Sequence, residues 1–350
     1  MRSTWCRKLW AILSLSSVAA LAQAQSTWPP FNVESVQGGK ATATQITPLT
    51  KASRKWKLCV LIPHLKDSYW SAVDYGVISE ARRIGVSATI LQAGGYDKLP
   101  VQVSQFDDCL ASGADAIVVA PISEAGLTAK FKQSQAKGIP TVVFINPVDS
   151  APVTSKIFVD FQTKGALTGT YLKNALGAAG GQVVAFPGPQ GSGWAESYLK
   201  GFQSSMNGGK VKVLDVKFGE AGVPEQLHLV EDALQTYSGV NAVWGAAPAA
   251  EAAVGAVSEA GLNKVTIVSS YENQAMLDLL RSGKIAAFAT EFPTMQARAA
   301  VDLAVRALEK QPVAPQYRVV PKMVTRESVA QIDTTQILAP ANWRPVFEQK

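Results

Sequence analysis

Between Trp56 and Phe292, short runs rich in valine and isoleucine alternate with stretches long enough for helices. KWKLCVLIP, SATILQA, AIVVAP and PTVVFIN come first. KIFVDF, QVVAFPG, KVKVLDVKFG, NAVWGAA, VTIVSSY and IAAFATEF follow. These runs lack the polar–apolar alternation of a half-buried strand, as expected of parallel strands covered by helices on both faces. Strand–helix alternation demands right-handed crossovers, so the predicted class is α/β with doubly wound parallel sheets. Helices are predicted from about Tyr69, from about Pro100, up to about Lys137, over about Gly165–Leu176, up to about Met206 and over about Thr294–Lys310. The series restarts at KIFVDF, which predicts two Rossmann-like lobes rather than one large sheet. The last helix and the RVVPKMVT strand lead back to the first lobe, and several such crossings make a multi-crossing hinge.

Ahead of this pattern, Arg2, Arg7 and Lys8 precede an apolar stretch from Leu9 to Leu21, and Ala22-Gln23-Ala24 fits the small-x-small cleavage rule of an export signal. The predicted organisation is therefore a signal peptide at 1–24 and an N-terminal arm, extended on the body or poorly ordered, at 25–54. The N-lobe takes 55–157 with about 294–325, the C-lobe 158–293, and a C-terminal segment about 326–350. The formal charge of +6 includes the three cations of the signal. No Lys/Arg cluster is interleaved with aromatics as a nucleic-acid groove requires. An exported chain permits a disulfide between Cys59 and Cys109; two buried, inert thiols are the alternative.

In open α/β sheets, ligands lie beyond the carboxyl ends of the strands. The loops at those ends carry Asp67, Tyr69 and Trp70 after the first strand and Tyr96 after the second. Phe161 follows KIFVD, Trp194 follows QVVAFPG, Tyr271 ends VTIVSSY, and Glu291 follows IAAFAT. A ring of aromatics suits a small alkylated ammonium or amine oxide, whose methyls face the π surfaces. Asp67 and Glu291 are expected at its polar or charged end. Catalytic signals are weak: His64 and His228 have no metal-ligand spacing, no GxSxG elbow is present, and PGPQGSG lacks the lysine ending of a phosphate loop. His64 is expected on a solvated loop and Asp107-Asp108 on a solvated helix face. No enzyme, cofactor or metal is expected.

WKLC at 56–59, LKDSYW at 65–70 with Tyr75-Gly76, and AGGY at 93–96 form a distinctive set. PGP at 187–189, AAEAA around Glu251 and RPVF at 344–347 extend it. From Trp56 onward the chain resembles the class I periplasmic binding proteins of the ribose-binding type, and more narrowly the TorT-like branch. That resemblance implies a periplasmic, ligand-closing fold, trimethylamine N-oxide as ligand, and the periplasmic domain of a TorS-like sensor histidine kinase as partner. Sugar binders of this type usually carry polar groups where this chain has Ile145-Asn146, Phe161, Ala249-Ala250, Tyr271 and Glu291. Their arginine after the PGP loop is missing, with Glu196 and Tyr198 in its neighbourhood. TorT-like proteins carry tryptophan where this chain has Phe161, which retains an aromatic wall of weaker cation–π character. A sugar or other small-solute binder of an ABC transporter is the alternative.

Overall fold

The computed structural model describes residues 27–350; the expected signal peptide at 1–24 lies outside them. The chain begins with an antiparallel hairpin, β1 (Phe31–Gln37) and β2 (Lys40–Ile46), turning at Gly38-Gly39. Alternating strands and helices follow: β3 (Lys57–Ile62), α1 (Ser68–Ile84), β4 (Ser87–Gln92), α2 (Leu99–Ala111), β5 (Ala116–Val119), α3 (Glu124–Ala136), β6 (Thr141–Phe144) and β7 (Ser155–Val159). The second series is α4 (Phe161–Leu176), β8 (Gly181–Phe186), α5 (Trp194–Met206), β9 (Val211–Val216), α6 (Val223–Thr236), β10 (Ala242–Gly245), α7 (Ala247–Glu259), β11 (Thr266–Ser269), α8 (Gln274–Arg281) and β12 (Ala287–Thr290). The chain closes with α9 (Pro293–Leu308), β13 (Gln316–Val319), β14 (Lys322–Thr325) and β15 (Glu348–Gln349).

Two sheets result. The N-lobe sheet runs β15-β4-β3-β5-β6-β7-β13-β1-β2, and the C-lobe sheet runs β14-β12-β11-β10-β8-β9. Strands β3 to β7 with β13, and β8 to β12, are parallel to their neighbours. The antiparallel pairings fall at sheet margins, where β1 joins β13, β15 joins β4 and β14 joins β12. The apolar runs named above supply the parallel strands, and β5, β6, β10 and β12 are buried along their whole length.

Helix α1 shows how local sequence sets the frame. Asp67 caps its first turn by accepting from the Tyr69 N–H, and Gly85, in the left-handed region at φ 82°, ends it after Arg82 and Arg83. Its Val73, Val77, Ile78 and Ile84 are fully buried, each contributing about 1.5–3 kcal/mol of apolar burial. It packs on α9, the helix that returns from the C-lobe.

Two expectations are corrected, and a third is narrowed. KIFVDF does not open the second lobe: β7 pairs with β6 and β13 in the N-lobe sheet, and the crossing comes after it, at Asp160. RVVPKMVT is not one strand. It divides at Val320-Pro321, since proline cannot donate to a ladder; β13 joins the N-lobe and β14 the C-lobe. Of the two alternatives for the arm, residues 27–54 take the one that lies on the body. Their hairpin extends the N-lobe sheet through β13, and Trp28 Nε1 and the Leu49 N–H donate to the buried carboxylates of Glu80 and Asp302 at 2.8 and 2.7 Å. Cys59 on β3 and Cys109 on α2 form a disulfide, with Cα atoms 5.7 Å apart.

Candidate ligand-binding site

The carboxyl ends of the strands from both lobes converge on one cavity. His64, Tyr69, Trp70, Tyr96, Ile145 and Asn146 line it from the N-lobe. Phe161, Trp194, Tyr198, Ala221, Tyr271 and Glu291 face them from the C-lobe and the crossings. It holds about 330 Å³ of space not filled by protein atoms, part of it open to solvent. The aromatic rings stand edge to face around it. Tyr69 lies 5.3 Å from Tyr271 and 5.5 Å from Trp70, Tyr96 lies 5.7 Å from Trp194, and Phe161 lies 5.1 Å from Tyr198.

The last contact depends on a close helix crossing. A Cβ on Gly201 of α5 would fall 1.9 Å from the Gln162 carbonyl oxygen, and one on Gly165 of α4 would fall 2.1 Å from that of Tyr198. Glycine alone lets α4 and α5 approach this far. On the opposite wall Ile145 has φ 62°, a costly conformation for a β-branched residue. It follows β6 directly and precedes Asn146, which donates to the Tyr96 hydroxyl at 3.0 Å and to the Pro121 carbonyl at 2.8 Å.

The predicted site residues divide into two groups. Tyr69, Trp70, Tyr96, Phe161, Trp194, Tyr271 and Glu291 line the cavity. Asp67 does not. Its carboxylate accepts from the Tyr69 N–H at 3.0 Å, the Tyr271 hydroxyl at 2.9 Å and Asn273 Nδ2 at 2.8 Å, so it clasps the C-lobe to the tip of α1. Glu291 lines the cavity but is already engaged. It accepts from the Tyr69 and Tyr198 hydroxyls at 2.5 and 3.2 Å, and Lys164 Nζ lies 2.9 Å from it. The expectation that Asp67 stands at a ligand's polar or charged end is thereby corrected, while Glu291 keeps its place on the wall with protein donors around it.

Lys164 is fully buried on α4 and also lies 3.7 Å from Glu272. Glu272 in turn accepts from the Glu291 and Phe292 N–H groups at 2.9 and 3.0 Å, fixing the crossing between β12 and α9. Burial, with the Glu291 charge adding to it and Lys164 opposing, holds the Glu272 carboxyl above its ordinary range. Burial beside these carboxylates raises the phenols of Tyr69 and Tyr198 well above theirs, and burial beside Asp67 does the same for Tyr271. All three therefore remain neutral hydroxyl donors.

His64 differs from the solvated histidine expected. It is 1% exposed, stands 5.8 Å from the Trp70 ring and 5.5 Å from Tyr96, and its pKa is pushed down to about 3 by burial and by Lys66. Glu196 is likewise no cavity residue; it accepts from the Gly191 and Gly193 N–H groups of its own loop. Sequence reasoning missed Lys164 entirely, and noted Tyr198 only as a neighbour of a missing arginine. Among the described residues no cluster of three or more His, Cys, Asp or Glu forms a metal site, and no helix is long and apolar enough to cross a membrane.

Residues 58–312 match the family model of the periplasmic binding protein domain. The periplasmic protein TorT of Escherichia coli (strain K12) is 33% identical over 316 residues, covering 87% of this chain and 88% of TorT. Among solved structures, an ABC transporter solute-binding protein from Bradyrhizobium sp. BTAi1 with bound bis-tris superposes with a TM-score of 0.79 at 38% identity, covering 92% of this chain and 99% of that one. TorT in complex with the TorS sensor domain in the presence of TMAO gives 0.76 at 26% identity, covering 84% of this chain and 100% of that one. The chain belongs to the periplasmic binding protein family, and within it to the TorT-like proteins.

Proposed function

We propose that this solute-binding protein is periplasmic, closes on a small methylated amine oxide, trimethylamine N-oxide in the first instance, and reports occupancy to the periplasmic domain of a membrane sensor histidine kinase. The observation that carries this reading is the cavity wall. It is mostly aromatic, its hydroxyls and carboxylates are engaged by one another, and no free arginine or carboxylate is left to grip a ring of sugar hydroxyls. Buried hydroxyls without partners are costly, so such a wall disfavours a sugar. The space, walled by aromatic rings from both lobes, suits a compact ligand. The neutral, dipolar amine oxide suits a site whose Glu291 is already balanced by Lys164 better than a full cation does. TorT, the relative seen with TMAO and with the TorS sensor domain, supports both the ligand and the partner.

A second reading has its own support: the 38% identity to a transporter's solute-binding protein favours delivery to an ABC transporter. Thermal shift of the exported chain with trimethylamine N-oxide, trimethylamine, betaine, choline and common sugars, with and without a sensor domain, tests both. A selective rise with the N-oxide that the sensor domain enlarges is expected, because ligands stabilise the state they bind. A rise with sugars alone would overturn the ligand class, and indifference to the sensor domain would favour the transporter.

A further inference from the structure

Nearly all the polar groups in the cavity wall are spent on protein partners. Tyr69 and Tyr198 donate to Glu291, Tyr271 donates to Asp67, and Tyr96 is paired with Asn146. Two fully buried nitrogens of the wall are exceptions. Trp194 Nε1 and His64 Nε2 are buried and meet no hydrogen-bond partner, in side chains 5% and 1% exposed. Trp194 Nε1 approaches the Tyr96 hydroxyl closely enough to act on it as a weak hydrogen-bond donor, but falls short of full hydrogen-bond geometry.

Both nitrogens carry hydrogen. Indole Nε1 is always a donor. In His64, Nδ1 accepts from the Lys66 N–H at 3.2 Å and so is unprotonated. Burial keeps the ring neutral, which leaves its one proton on Nε2. The two rings stand edge to face against Tyr96, at 5.5 and 5.7 Å, so they flank one wall of the cavity. His64 follows β3 in the N-lobe, and Trp194 opens α5 in the C-lobe.

The geometry points to His64 Nε2–H and Trp194 Nε1–H as the pair that holds the ligand's oxygen, one donor from each lobe. This rests on the amine-oxide reading above and adds which atoms separate an oxide from an equally methylated cation. The aromatic walls accept either. Only an oxygen with two lone pairs satisfies both buried donors, and by bridging them it ties occupancy to closure. Tetramethylammonium, with a methyl in place of the oxygen, leaves both unpaired.

The test is isothermal titration of the wild type, Trp194→Phe, His64→Phe and His64→Gln with trimethylamine N-oxide and with tetramethylammonium, reading the ratio of affinities within each protein. That ratio is insensitive to a uniform loss of stability. The wild type is expected to prefer the N-oxide. Each phenylalanine variant loses about ten- to a hundredfold for it and less for tetramethylammonium, so the preference for the N-oxide falls. His64→Gln, which retains a side-chain N–H, recovers part of the preference. Undiminished N-oxide affinity in both phenylalanine variants, or equal wild-type affinity for the two ligands, overturns the assignment and leaves the methylated-amine reading standing. Binding of neither ligand overturns both.

Discussion

Lys164→Met removes the one cation between two buried carboxylates. Lys164 is fully buried, with Nζ 2.9 Å from Glu291 and 3.7 Å from Glu272. Unit charges about 4 Å apart interact by roughly 4 kcal/mol at an effective dielectric of 20, and stripping one partner from a buried pair typically costs about 3–5 kcal/mol. Methionine occupies most of the volume of the lysine stem, so the expected loss is chiefly electrostatic. It corresponds to roughly 6–20 °C in the melting temperature of a lobe of this size. The loss should depend on pH, and in a definite direction. The Glu272 carboxyl is already held above its ordinary range by burial and by Glu291, with Lys164 opposing; without the lysine it rises further. A carboxyl whose folded pKa exceeds its unfolded value binds its proton more tightly when folded, so stability rises as pH falls through the folded pKa. The deficit of Lys164→Met is therefore largest at pH 8 and shrinks towards pH 5. Thermal melts of both proteins at the two pH values read it directly, and adding Glu291→Gln should restore part of the loss. A deficit below about 1 kcal/mol, or one identical at both pH values, would refute the buried ion cluster as described.

Asp67→Ala should lower stability by about 1 kcal/mol through the lost helix cap. It should also weaken ligand binding by about tenfold without touching the ligand, because the clasp to Tyr271 and Asn273 exists only when the lobes meet. Small-angle scattering should show a larger radius of gyration in the unliganded variant, and unchanged affinity would leave Asp67 a capping role alone. Reducing the Cys59–Cys109 bond, which spans 50 residues, should cost about 4 kcal/mol by the chain-entropy estimate. Melts with and without reductant measure that loss. Ligand affinity should hold, since neither cysteine lines the cavity.

The parallel strands were legible because burial on both faces writes itself as unbroken valine and isoleucine. The N-terminal hairpin was not, because its strands are rich in serine, threonine and glutamine; the Gly38-Gly39 pair was the signal to heed. Pro321 likewise marked the division between β13 and β14. At the site, the strand-end rule located the aromatic wall, since it concerns only where loops emerge. The roles of the carboxylates were hidden because their partners lie far along the chain: Tyr271 and Asn273 for Asp67, Lys164 and Tyr69 for Glu291. A lysine in an amphipathic helix reads as surface. Nothing local to Lys164 announces that the carboxylates of the β12 crossing fold over it.

The position of β13 between β7 and β1 has a consequence for how the molecule is made. Val33 pairs with Val319, so the first strand of the chain has no place in the sheet until nearly the last has arrived. Until then β7 presents a bare edge, open to pairing with another chain, and a contact of such sequence separation forms slowly. A nascent or refolding chain that has completed β8 to β12 still lacks its full N-lobe sheet. The vulnerable interval for aggregation therefore ends only when residues 316–319 dock.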